Sequence, residues 1–145
     1  MIELEIPSDG LNATYDLTDQ LVSALREGAA GDGLAHVFAH GSSLGLTIMR
    51  YEPGAVQDLL RALGRIAPDD TRYLHELTTG DPNGFAHVRS SLLGTSVSVP
   101  FVGGALGMSP THRVVLIDFD LKPATRRVLV DPPRCDRTAQ KGATR

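Results

Sequence analysis

The tightest constraint on the fold is how little chain separates its alternating apolar segments. Leu34–Ala39 and Leu44–Tyr51 both read as strands, joined through the small, polar Gly41-Ser42-Ser43. A parallel crossover needs a dozen or more residues, so strands this close in sequence pair antiparallel. The same logic applies near the C-terminal end. A strand over Thr95–Val102 meets the hairpin signal Gly103-Gly104, and a strand over His112–Asp120 turns at Lys122-Pro123 into Arg126–Val130. At the start, Ile2, Leu4 and Ile6 alternate with Glu3 and Glu5. That period of two marks a half-buried strand, stopped by Pro7 and the Ser8-Asp9-Gly10 turn signal. A short strand over Asn12–Tyr15 follows.

Two amphipathic helices interrupt the strands. Asp16 is placed to cap the first, which carries Leu17, Leu21 and Leu25. Val56, Leu59, Leu60, Leu63 and Ile66 recur at helical spacing in the second, which runs out near Pro68. A third, short helix is expected over His87–Leu93. Asp69–Phe85 lacks periodicity and reads as a long loop, a kind of segment that is usually functional or disordered. The order of strands, helix, strands, helix, strands gives an α+β domain and not a doubly wound parallel sheet.

The chain has 145 residues, enough for one domain. We assign residues 1–131 to it and read 132–145, from Pro132-Pro133 onward, as a flexible basic tail. From Met1 to Leu121 there are 7 basic and 15 acidic residues, a balance of −8; from Lys122 to Arg145 there are 7 and 2, a balance of +5. An acidic body disfavours a nucleic-acid partner, whose binding rests on phosphate neutralisation. No apolar run approaches the ~20 residues of a membrane span. The N-terminus has neither the charge nor the apolar core of a secretory signal. No membrane partner and a cytoplasmic location are therefore expected. The lone Cys135 excludes an internal disulfide and any multi-cysteine metal site. With aromatics at 5%, Val, Leu, Ile and Ala must fill the core.

Chemistry rests on few residues. The histidines are His36, His40, His75, His87 and His112. His36 and His40 share a strand face, His75 and His87 flank the long loop, and His112 opens a strand. Converging imidazoles bind metal, move a proton or hold an anion. No His-Glu-x-x-His or cysteine pair accompanies them, and any one of them taken singly reads more readily as an ordinary hydrogen-bonded or surface residue. Asp118 and Asp120 share one face of a strand, roughly 6–7 Å apart along it. Such a pair holds Mg²⁺ with waters and a phosphate, or forms a polar stripe on an edge strand. Arg89, with Ser90 and Ser91 near the start of a short helix, is placed to bind an anion or to serve as a surface arginine. Ser42 and Ser43 lack a Gly-x-Ser-x-Gly elbow, and neither a dinucleotide fingerprint nor a P-loop is present.

The ordered set of segments resembles the YjbQ family of secondary thiamine-phosphate synthases. It comprises Gly33-Leu34-Ala35-His36-Val37-Phe38, Gly45-Leu46-Thr47-Ile48 and Asp58-Leu59-Leu60-Arg61-Ala62-Leu63 with Pro68. It continues through Tyr73–Glu76, Ala86-His87-Val88-Arg89-Ser90-Ser91-Leu92-Leu93-Gly94, the hairpin from Thr95 to Gly104, Asp118-Phe119-Asp120 and Arg126-Arg127-Val128. The resemblance covers about Ile2 to Val130. It implies a compact barrel-like antiparallel sheet with two main helices packed outside, and a homotrimer. It also implies transfer between a pyrimidine diphosphate and a thiazole phosphate, releasing pyrophosphate, a chemistry often assisted by Mg²⁺. On that basis His75, His87 and His112 are the expected catalytic residues. His40, Ser42, Ser43 and Arg89 are expected to bind a phosphorylated small molecule. Three positions depart from the family pattern. Gly41-Ser42-Ser43 stands for His-Thr-Thr, Met49-Arg50 for Asn-Glu, and Ser109-Pro110-Thr111-His112 for Gly-Thr-Trp-Gln. They leave a second expectation: a catalytically degenerate trimer with a structural or ligand-binding role.

Overall fold

The computed structural model describes residues 1–28 and 30–134, so Cys135 and most of the expected tail lie outside the described residues. The strands are β1 (Ile2–Ser8), β2 (Ala13–Asp16), β3 (Gly33–Ala39), β4 (Leu44–Arg50), β5 (Ser96–Val102), β6 (Ala105–Leu106), β7 (His112–Asp118) and β8 (Ala124–Asp131). The helices are α1 (Thr18–Glu27), α2 (Pro53–Ile66), α3 (Leu74–Thr79) and α4 (Gly84–Leu93). Five strands form one sheet in the order β1-β8-β3-β5-β6, and three form a second in the order β2-β7-β4. Every pairing is antiparallel. The class is α+β with a curled antiparallel half-barrel, in line with the barrel-like sheet that the resemblance implies. The pairing expected between neighbouring strands is corrected: β1 and β2, β3 and β4, and β7 and β8 each fall in different sheets, and among the described residues only β5 and β6 pair as consecutive strands.

The two sheets enclose the main core. Leu4, Ile6, Val37, Val99, Phe101, Val128 and Val130 point in from the larger sheet; Leu44, Leu46, Val114 and Leu116 meet them from the smaller one. Leu17, Leu21 and Leu25 of α1 complete this core. The alternate residues of β7, Val115 and Ile117, face the other way with Phe119 and pack on Leu63 of α2 and on Phe85 and Ala86 of α4. The smaller sheet is therefore buried on both faces, which explains why β7 reads as a continuous apolar run. Each fully buried Leu, Ile or Phe contributes roughly 1.5–3 kcal/mol.

Three local expectations are corrected. Pro7 does not stop β1: the strand continues to Ser8, with Pro7 opposite Thr125. It is tolerated because β1 is an edge strand, half of whose N–H groups face away from its single neighbour β8. The stretch 69–85 is not one loop, for it contains α3 and the first turn of α4. Asp118 and Asp120 do not share a strand face. β7 ends at Asp118, the Asp120 N–H folds back onto Asp118 Oδ1 at 3.0 Å, and β7 is the central strand of its sheet. At the C-terminal end Pro133 is buried, and its carbonyl accepts the Gly31 N–H at 3.3 Å.

Candidate functional site

The β3–β4 connection, residues 40–43, sits between two anchors. On one side Ser43 Oγ donates to Asp120 Oδ2 at 3.0 Å, and the Phe119 N–H donates to the Ser43 carbonyl at 3.0 Å. On the other, α4 holds it. Ser90 Oγ donates to the Leu44 carbonyl at 2.6 Å, and His87 Nδ1 lies 3.0 Å from the Ser42 carbonyl oxygen. A carbonyl can only accept, so His87 Nδ1 carries the hydrogen. In the neutral ring Nε2 is then the nitrogen with the free lone pair.

His75 meets His87 there. The ring centroids are 4.6 Å apart at an interplanar angle of 74°. α3 is brought over α4 by Gly84: a Cβ at this position would stand 2.5 Å from Tyr73 Cβ and 3.2 Å from His75 Cβ. Tyr73 itself is anchored by its hydroxyl donating to the Pro68 carbonyl at 2.7 Å. Burial pushes the Tyr73 phenol above its ordinary range, opposed by the Arg89 guanidinium, so it remains a donor. Gly84→Ala is expected to part the two helices, cost about 1–3 kcal/mol as an overpacking change, and abolish the imidazole contact. Thermal unfolding together with ring-to-ring NOEs between His75 and His87 would measure both effects. Retention of the NOEs would show that the approach does not depend on this glycine.

Arg89, His112 and His40, also expected at the site, lie elsewhere in the chain. Arg89 is two residues from His87, about 200° around the helix. It is buried, with Nε donating to the Ala67 carbonyl at 2.9 Å and a guanidinium nitrogen donating to Asn12 Oδ1 at 3.1 Å. Its guanidinium lies 4.9 Å from the Phe85 ring centroid and 3.9 Å from an Asp69 oxygen. It is a strut between α4 and two loops. His112 opens β7, whose far end carries Asp118 and the 40–43 connection. Six residue steps put it about 20 Å along the strand from Asp118, at the end away from the 40–43 connection that His87 touches. The cross-strand neighbour of His112 is Arg50, so both side chains sit at that opposite end. His40 follows β3 on the outer side of the larger sheet, near Glu3. Its ring is 6.4 Å from Phe38. His36 faces outward from the same sheet, 2.8 Å from Ser98 Oγ.

The carboxylates expected to hold Mg²⁺ are already engaged. Asp118 is fully buried; its Oδ2 accepts from Ser8 Oγ at 2.6 Å and from Arg126 Nε at 2.7 Å. Arg126 also approaches Asp120 Oδ2 at 3.7 Å. This arrangement does not fit an octahedral, oxygen-hungry Mg²⁺, and no group of three metal-ligating side chains gathers among the described residues. Two features carried no readable sequence signal. Leu74 and Leu77 of α3 stand beside His75 and are 80% and 70% exposed, and α3 buries none of its own residues. Asn83, the N-cap residue of α4, is 7% exposed, and its side-chain carbonyl has no partner among the described residues.

The sequence profile of the family described as UPF0047 protein YjbQ-like matches residues 2–132. A UPF0047 protein of Archaeoglobus fulgidus is 34% identical over 115 residues, covering 79% of this chain and 86% of that protein. One from Mycobacterium tuberculosis is 31% identical over 113 residues, covering 78% and 83%. Among solved structures, a yjbq/upf0047 family protein of Clostridium acetobutylicum superposes with a TM-score of 0.81 at 27% identity, covering 91% of this chain and 99% of that one. A YbjQ-like protein of unknown function from Sulfolobus solfataricus gives 0.82 at 19% identity, covering 89% and 92%.

Proposed function

Because this chain belongs to the YjbQ-like UPF0047 family, we propose that it works as a cyclic homotrimer binding a phosphorylated small molecule at sites shared between subunits. The finer reading is a cytoplasmic, thiamine-phosphate-synthase-like transferase that releases pyrophosphate. One observation carries the proposal. The two halves of the expected site lie at opposite ends of the three-stranded sheet, His75 and His87 at one and His112 with Arg50 at the other. A heterologous, head-to-tail contact sets one end against the other, and three such contacts close a ring. The exposed Leu74 and Leu77 give that contact an apolar margin. Protonated His87 donates through Nε2–H to a phosphate oxygen, Ser42 and Ser43 present the loop, and the neighbour adds the Arg50 and His112 side chains as further donors.

Sizing with light scattering should give three times the mass of one chain, and a stable monomer at micromolar concentration would sink the assembly. Calorimetry with pyrophosphate tests the site. His87→Ala and His112→Ala should each weaken binding by about 1.5–3 kcal/mol if each makes a charge-assisted bond. Coexpressing the two variants should restore roughly a quarter of the wild-type sites, because random mixing pairs an intact end with an intact end at that frequency. Restoration absent in a confirmed mixed trimer would place both histidines in one subunit's site or in none. The altered positions at Gly41, Arg50 and His112 favour the second reading, a trimer without catalysis. Its signature is an assembled trimer that binds no pyrophosphate at millimolar concentration.

A further inference from the structure

We propose that His75 and His87 are the ligands of a borderline divalent cation, of which Zn²⁺ and Co²⁺ are the working examples. This adds an ion to the pocket described above and rests on that reading only for the phosphate oxygens that would share its coordination shell.

The ring geometry is the first argument. An imidazole nitrogen binds Zn²⁺ at about 2.0–2.1 Å, which puts the ring centroid about 3.2 Å from the metal. Two such rings at an N–metal–N angle of about 90–110° have centroids about 4.5–5.2 Å apart. The observed separation is 4.6 Å. The tautomer is the second. His87 Nδ1 donates to the Ser42 carbonyl, leaving Nε2 as the ligating atom. A backbone carbonyl on the distal N–H is the usual support of a metal-bound histidine, fixing ring orientation and raising basicity. The support here is itself held, because the same connection is clamped by Ser43 on Asp120 and by Phe119 on the Ser43 carbonyl. Neither ring nitrogen of His75 has a hydrogen-bond partner among the described residues, and the side chain is half-buried. It is therefore free to turn a lone pair toward the same point.

Donor type then selects the ion. Imidazole nitrogens suit Zn²⁺, Co²⁺ and Ni²⁺, whereas Mg²⁺ wants oxygen. The nearby carboxylate Asp118, which would favour Mg²⁺, is occupied by Arg126 and Ser8. Two protein ligands leave the remaining positions open to water or to phosphate oxygens. An incompletely protein-ligated centre of this kind is built for exchange with substrate and not for holding a fold together.

The test uses the full chain carrying Cys135→Ser, to remove the thiol, after dialysis against chelator. Calorimetric titration with ZnCl₂ should show about one ion per chain, while MgCl₂ gives no comparable binding. His75→Ala and His87→Ala should each weaken Zn²⁺ at least tenfold; His36→Ala, on the outer sheet face, should leave it unchanged. Co²⁺ added to the unsubstituted ring pair should produce visible bands shifted from those of the aqua ion. That readout stands even where a variant fails to fold. Zn²⁺ affinity indifferent to both histidines, equal affinity for Mg²⁺, or an aqua-like Co²⁺ spectrum would overturn the inference. Pyrophosphate binding that persists in chelator, alongside such a result, removes the metal and keeps the anion site.

Discussion

Asp118→Ala is expected to destabilise the protein by about 3–5 kcal/mol, because it removes the buried partner of the Arg126 guanidinium and leaves it only the more distant Asp120 as a counter-charge. Asp118 is fully inaccessible, and the Arg126 side chain is only 16% exposed. Both Asp118 oxygens are in use: Oδ2 takes Ser8 Oγ and Arg126 Nε, and Oδ1 takes the Asp120 N–H. Truncation therefore unmakes three bonds that join β1, β7 and the turn into β8. Removing Arg126 as well should give back part of the loss, since an uncompensated charge is worse than none. Urea unfolding of the two single variants and the double variant measures this coupling. A single-variant loss below about 1 kcal/mol would mean that water reaches the cluster.

Arg89→Ala should cost about 3 kcal/mol and leave pyrophosphate affinity at the wild-type value wherever the protein remains folded. The side chain fills a core position above Phe85 while its nitrogens satisfy the Ala67 carbonyl and Asn12. Truncation leaves a cavity together with unpaired acceptors, and the two penalties act in the same direction. Lysine is a poor replacement, because an ammonium cannot serve two partners in different directions with one planar fork. Chemical denaturation paired with pyrophosphate calorimetry separates stability from binding. A variant of normal stability that no longer binds would return Arg89 to the site.

The strands were legible because their signal is local. Alternation in Ile2–Ile6 and Leu34–Ala39 marks each segment as a strand without knowledge of the rest, but it does not name the partner: β3 and β4, four residues apart, lie in different sheets, β3 beside β5 and β8 and β4 beside β7. α3 was illegible for the complementary reason. It is six residues long, buries none of them, and so imposes no apolar period on residues 74–79. The pairing of His75 with His87 could be suspected only from family resemblance, because the contact is made by a glycine crossing, at Gly84, that no spacing rule encodes. Arg89 and Asp118 were misread for a shared physical reason. Charged residues are assumed to face water or ligand, and both are buried against partners distant in sequence: Asn12 for one, Ser8 for the other.

The strand order β1-β8-β3 has a consequence for how the chain is made. β8 lies between the first strand and the third, with Ile2 opposite Val130 and Val37 opposite the same residue from the other side. The larger sheet cannot close until residues 124–131 have been synthesised and released. During translation β1 waits with an open edge and an apolar inner face while almost the whole chain is added. Such non-local closure slows folding and lengthens the exposure of sticky surface. Pro7 and the outward Glu3 and Glu5 on that strand are the features that discourage a second nascent chain from pairing with it first.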